Sequence, residues 1–254
     1  MFKTFVDRER GVALLLNPKV LTTFTRRFLT DGMREFHGLS DPSAGRYRLV
    51  KNARRFPMAR LRDYLHFRTH HDDYKIFAFV RNPYARVYSG WKDKFYDGHK
   101  GSDYGRLSGY PRSMRRGELK KARAYCRKHG LPGAAEGELV PFASFVRYMA
   151  DQPPGERNQH WDQQVLVLQQ PKFRLAGAYK IEHELDKGIR TIAEALEFDP
   201  DWAVTQLSRK ANVSSRYDGS AHPMTDEVAE EVFHACEPDF DVFGYDKESY
   251  RELW

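Results

Sequence analysis

Apolar residues in this chain gather into two short uninterrupted runs and, elsewhere, into stripes at helical spacing. Val12 to Leu16 is one run and Ile76 to Val80 the other. Runs of this length, bounded by turn residues, suit central strands of a parallel sheet that are buried on both faces. Each run meets an Asn-Pro step, Asn17-Pro18 after the first and Asn82-Pro83 one residue beyond the second, and a helical pattern follows. After Pro83, whose fixed φ suits a first helical turn, Tyr84, Val87, Tyr88, Trp91 and Phe95 share one stripe while Arg86, Ser89 and Asp93 fall on the other side. After Pro18, the helical stretch reaches about Thr30. Later, Phe173 to Ile181 suits a strand and Leu185 to Leu196 a helix with Leu185, Ile189, Ile192 and Leu196 on one side. Thr225 caps a helix that reaches about Cys236, and Phe240, Phe243 and Tyr245 pack a closing turn onto the core. No repeat and no low-complexity linker divides the chain, so the expectation is one α/β domain over all 254 residues, with a central, mainly parallel sheet flanked by helices.

The two strand ends carry the candidate chemistry. Ligands of open parallel sheets bind beyond the carboxyl ends of the strands, and Arg81 stands at such an end. A guanidinium there can grip a phosphate with two parallel hydrogen bonds, and the Ser89 hydroxyl on the adjoining helix can add a third. Taken alone, Arg81 in a surface ion pair and Ser89 at a solvated helical position is the favoured reading. The first loop shifts the balance. Its helix start offers unpaired backbone N–H groups and a positive dipole end, Lys19 adds a mobile charge, Thr22 and Thr23 add hydroxyls, and Arg26 and Arg27 follow one turn on. A Walker loop is excluded, because residues 17 to 27 hold no glycine with which to wrap phosphates. What remains is a P-loop-like, three-layer strand-loop-helix arrangement that is a poor fit to kinase chemistry.

These residues resemble the family 2 carbohydrate sulfotransferases. PKVLTTFTRR is similar to the family's 5′-phosphosulfate loop and FVRNPYARVYSGWKDKF to its 3′-phosphate motif. NQHWDQQ at Asn158 to Gln164, YKIEHELDKGI at Tyr179 to Ile189 and DFDVFGYD at Asp239 to Asp246 follow in order. Leu21, Phe24 and Thr25 depart from the small and aromatic residues common in the first loop. The resemblance implies 3′-phosphoadenosine 5′-phosphosulfate as donor and adenosine 3′,5′-bisphosphate as product. It implies Lys19 at the bridging oxygen and the transferred sulfuryl group, Thr22, Thr23 and Arg26 around the 5′ phosphate, and Arg81 with Ser89 on the 3′ phosphate. Ser214 and Arg216, in KANVSSRY, match a late donor-contacting segment.

Transfer to a hydroxyl needs a base, and a histidine works near neutrality. His160 is the first choice because it lies in NQHWDQQ, where Trp161 would floor a sugar site and Asn158 and Gln164 would bond its hydroxyls. A loop-anchoring role for His160 weighs equally, and His66, His70 and His71 are the other candidates. No metal is required. Charge points to the acceptor: Gly98 to Gly130 holds ten Lys or Arg and two acids, against a formal net charge of +7 for the whole chain. The region from about 98 to 138 reads as a basic insertion over the site, with one helix near Glu118 to Lys128, and its field would attract an anionic carbohydrate. Two other classes fit parts of the pattern: a basic module binding glycan or nucleic acid without chemistry, and an ATP-dependent small-molecule kinase, against which the glycine-poor loop counts. With no membrane-spanning apolar run and only Cys126 and Cys236, a cytoplasmic enzyme without membrane anchor is expected.

Overall fold

In the computed structural model, residues 4–38, 47–49, 57–59, 61–96, 112–170, 172–208 and 223–253 are described. Chain contacts define two units, Met1–Arg81 with Val167–Tyr217, and Asn82–Leu166 with Asp218–Trp254.

The first unit is built on a four-stranded sheet of order β1-β2-β5-β6, from Thr4–Asp7, Val12–Leu15, Lys75–Val80 and Gly177–Lys180. β2, β5 and β6 are parallel, with Leu15 opposite Ala78 and Val80 opposite Lys180. β1 is antiparallel to β2 and joins it through a tight turn organised by the buried Asp7 carboxylate, which accepts from Glu9 N, Arg10 N and Arg10 Nη1. This strand escapes a search for apolar runs because its apolar content is only Phe5 and Val6. A separate two-stranded ribbon pairs β3, Tyr47–Leu49, with β4, Pro57–Ala59.

One face of the four-stranded sheet presents Val12, Leu14, Phe77, Phe79 and Tyr179 to α1 (Thr22–His37), α7 (Leu185–Ala195) and α8 (Pro200–Thr205). Ile189, Ile192 and Leu196 are fully buried there, as their spacing predicts. α1 runs a further two turns past Thr30 because Met33 continues the Phe24–Phe28–Leu29 stripe and Gly38 closes the helix in the left-handed region. α2, Leu61–Thr69, buries Phe67 against Tyr74 and Phe173. The parallel sheet flanked by helices is the fold class the sequence predicts.

The second unit is helical. α3, Pro83–Trp91, starts with Pro83 at its first position and the Asn82 side chain accepting from Tyr84 N, then loosens into a π-helical turn over Lys92–Tyr96. Its predicted stripe, from Tyr84 to Phe95, is buried. α4, Arg112–His129, begins six residues before the expected Glu118, since Arg and Met favour helix where apolar periodicity is silent. α5 is Phe142–Ala150 and the short α6 is Gln164–Val167. α9, Asp226–Phe243, continues through Pro238 past the expected end at Cys236. Asp239, Phe240 and Phe243 are buried and hold this last stretch in place, so the latter two lie in the helix rather than in a closing turn. Among the described residues no helix is long and apolar enough to cross a membrane. Cys126 and Cys236 are both buried free thiols.

Candidate active site

The loop between β2 and α1 is shaped by backbone rather than by glycine. Lys19 and Leu21 both adopt left-handed φ, 68° and 47°. Such values cost about 1 kcal/mol or more for residues bearing a Cβ. The turn is closed by Val20 N donating to Asn17 O at 3.2 Å and Thr22 Oγ1 donating to the same carbonyl at 3.0 Å. The buried Asn17 side chain ties the loop to β5 through Phe79 O. α1 has no side-chain cap at Leu21 and no acid in its first turn. Its first amides thus lack a local competitor for an anion. The lack of glycine excludes the Walker sequence, yet the chain reaches the same kind of left-handed geometry at non-glycine positions.

Arg81, at the carboxyl end of β5, donates from Nη1 to Lys19 O at 3.3 Å. The Arg81 side chain thus reaches the backbone of the loop that carries Lys19, at the carboxyl end of the strands. Lys19, Thr22 and Arg26 are half-buried, and Thr23 is exposed. Thr22 and Thr23 differ in one respect the sequence does not reveal: the Thr22 hydroxyl donates to the loop's own backbone.

In the second unit, α3 carries Ser89 half-buried. Beside it Gly90 lets the helix meet the loop that holds His160, since a Cβ there would lie 3.1 Å from His160 O. His160 retains 7% exposure. Its Nδ1 lies 2.6 Å from Asn158 Oδ1, which also accepts from His160 N. An amide oxygen only accepts, so Nδ1 of His160 carries a proton toward Asn158.

The loop around His160 is held by buried charged groups that the sequence reading passes over. Arg86, 1% exposed, donates to Asp162 O and Gln159 O. Asp239, fully buried, accepts from Gln164 N at 2.8 Å and Val165 N at 2.9 Å. Burial pushes the Asp239 carboxyl upward, while Arg86 and the two amides oppose that shift. Arg157 donates to Gln152 O, Ala235 O and Ala150 O. Burial also pushes the nearby Cys236 thiol up to about 12, leaving it inert. The only advance sign of Arg86 was its place on the polar side of α3.

Two expectations for this loop are corrected. Trp161 is fully buried against Phe95 and Phe145, a core side chain rather than the floor of a sugar site. Gln164 is likewise fully buried, and Asn158 is engaged with His160. His66, His70 and His71 sit before the amino end of β5. His66 Nδ1 meets Tyr74 OH, His66 and His70 stack with centroids 4.4 Å apart, and His71 pairs with Asp72. β5 then rises about 17 Å before Arg81. These three are therefore at the opposite sheet edge from Lys19 and Arg81. Ser214 and Arg216 lie outside the described residues, as do residues 97–111 of the basic region.

The described residues thus form a mainly parallel α/β sheet with a left-handed, lysine-bearing loop at its carboxyl edge. Comparison with known proteins is specific: the model of the Sulfotransferase family matches residues 3–246, and the chain belongs to that family. A relative is carbohydrate sulfotransferase 14 of Danio rerio, 31% identical over 88 residues, which is 35% of this chain and 21% of that enzyme. The alignment thus spans about a fifth of the curated relative. No solved structure matches the chain.

Proposed function

We propose that this sulfotransferase-family protein moves a sulfuryl group from 3′-phosphoadenosine 5′-phosphosulfate to a hydroxyl of an anionic carbohydrate. The observation that supports the reading is the Arg81 Nη1 to Lys19 O contact, which ties the end of β5 to the loop before a helix start that has no side-chain cap. The chemistry of these groups fits the donor: all are hydrogen-bond donors, and no acid stands in the first turn of α1.

In the reaction, the acceptor oxygen forms a bond to sulfur as the bond from sulfur to the bridging phosphate oxygen breaks. The bond pair leaves with the nucleotide, so negative charge grows on the 5′ phosphate. Lys19 and the first amides of α1 stabilise that charge, and Arg81 with Ser89 holds the 3′ phosphate. His160 Nε2 takes the acceptor proton while Asn158 Oδ1 orients the ring through Nδ1. Support for His160 over the other histidines is this tautomer, together with the place of His66, His70 and His71 at the far sheet edge. Thr23 serves the 5′ phosphate better than Thr22, whose hydroxyl is already donating.

The test offers purified protein a radiolabelled sulfate donor with a panel of acidic and neutral glycans, and compares wild type with Lys19→Ala, Arg81→Ala and His160→Ala. Transfer to an acidic glycan that each substitution abolishes supports the reading. Magnesium-dependent phosphoryl transfer from ATP, with no sulfuryl transfer, would replace it.

A further inference from the structure

α4 carries eight Lys or Arg and a single acid, Glu118, in eighteen residues. Its buried face is set by Ala122 and Cys126. The cations are arranged in rows on the remaining surface. Arg116, Lys120, Arg123 and Arg127 follow one another at intervals of four, three and four residues, which places them in a single line along the helix. Lys121 and Lys128, seven apart, form a second row. Between the rows lie Gly117 and Ala124, also seven apart and exposed, and a Cβ on Gly117 would meet nothing within 4 Å. The result is a shallow furrow with a small-residue floor and a cationic rail on each side.

The rails are available for a ligand. Arg123 donates from Nη2 to Glu138 O and Arg127 from Nη2 to Ala134 O, contacts that engage one nitrogen of each guanidinium. Lys121 has one weak partner, Glu118 at 3.4 Å, and itself stays 69% exposed. Glu136 and Glu138 are the nearest acids on the following loop, and neither forms an ion pair with the rails among the described residues.

We propose that this furrow binds a linear anionic glycan along its length. The occupant is argued from spacing. Both rails and the floor repeat every seven residues, about 10.5 Å along the axis. That interval is comparable with one disaccharide of an extended pyranose chain carrying one carboxylate per repeat. Nucleic acid presents a phosphate about every 3.4 Å per strand and, when single-stranded, seeks stacking aromatics, of which the furrow has none. The single aromatic on this helix, Tyr125, lies away from the furrow, stacked on His129 and bonded to Asp151. The inference rests on the reading that the acceptor is an anionic glycan, and it adds a site that grips chain length rather than the reacting sugar.

The test uses fluorescently labelled, unsulfated chondroitin oligosaccharides of two and eight sugars, with labelled oligothymidylate as comparison. Binding is measured by anisotropy at two salt concentrations for wild type, for a triple variant Arg116→Gln, Lys120→Gln, Arg127→Gln, and for Gly117→Leu, which fills the floor and keeps every charge. All these positions are exposed, so helicity by circular dichroism should hold. The octasaccharide should lose about tenfold in affinity in the triple variant, with a shallower salt dependence, and severalfold in Gly117→Leu. The disaccharide should bind all three proteins equally weakly. Octasaccharide affinity indifferent to both variants would overturn the proposal, as would oligothymidylate binding as tightly and losing as much. Failure is separable from that of the transfer reading. Length-dependent binding without sulfuryl transfer leaves the furrow standing, whereas transfer whose chain-length preference ignores the furrow removes it.

Discussion

The loop at Lys19 and the loop at His160 are held by opposite means. The first is a backbone construction: two left-handed residues and a turn closed by Asn17 O, with Asn17 and Arg81 side-chain contacts that are long at 3.5 and 3.3 Å. The second is suspended from buried ionic side chains, Arg86, Arg157 and Asp239, through bonds that reach across the sequence to Ala235 O, Gln164 N and Val165 N. An anion-binding loop needs exposed amides and mobile cations, and tight anchoring would consume both. A general base needs a fixed tautomer and direction, and only a rigid surround supplies them.

The largest effect that would break this contrast lies at Asp239. Replacing it with Ala leaves the Arg86 guanidinium buried without its countercharge and two amides unsatisfied. We expect a loss of about 3–5 kcal/mol in urea unfolding. A loss under about 1 kcal/mol would mean the His160 loop is not held this way. Next, Lys19→Ala should lower transfer about a hundred- to a thousandfold, the scale for removing one group that stabilises developing charge, with the unfolding midpoint nearly unchanged. Third, Asn158→Leu should cost about tenfold in turnover and little in donor affinity, since it frees the imidazole tautomer without touching the donor loop. Equal losses in both would place Asn158 on the donor side. The smallest effect sharpens the backbone argument: Lys19→Gly and Lys19→Ala should be equally poor in transfer, but Gly should be the more stable by about 1 kcal/mol because φ there is positive.

The same contrast explains what could be read in advance. Val12 to Leu16 and Ile76 to Val80 announce buried parallel strands because both faces are apolar, and the Asn-Pro steps mark where each ends. Lys19 and Arg81 follow from those strand ends. β1 was not legible, since a short edge strand with a polar start has no distinctive period. Nor were the roles of Arg86 and Asp239, because each meets partners more than seventy residues away and nothing local distinguishes a buried arginine from a solvated one. Trp161 and Gln164 were misread for the same reason: a loop motif names its residues without saying which way they face. The early start of α4 shows propensity extending a helix beyond its apolar stripe.

The most direct test is calorimetric titration of adenosine 3′,5′-bisphosphate into wild-type protein, Lys19→Ala and Arg81→Ala, without acceptor. The account predicts saturable one-to-one binding by wild type that weakens at least about tenfold in each variant, or about 1.4 kcal/mol. Binding of equal strength in all three would contradict it, because the nucleotide would then sit away from the edge where Arg81 meets the Lys19 loop.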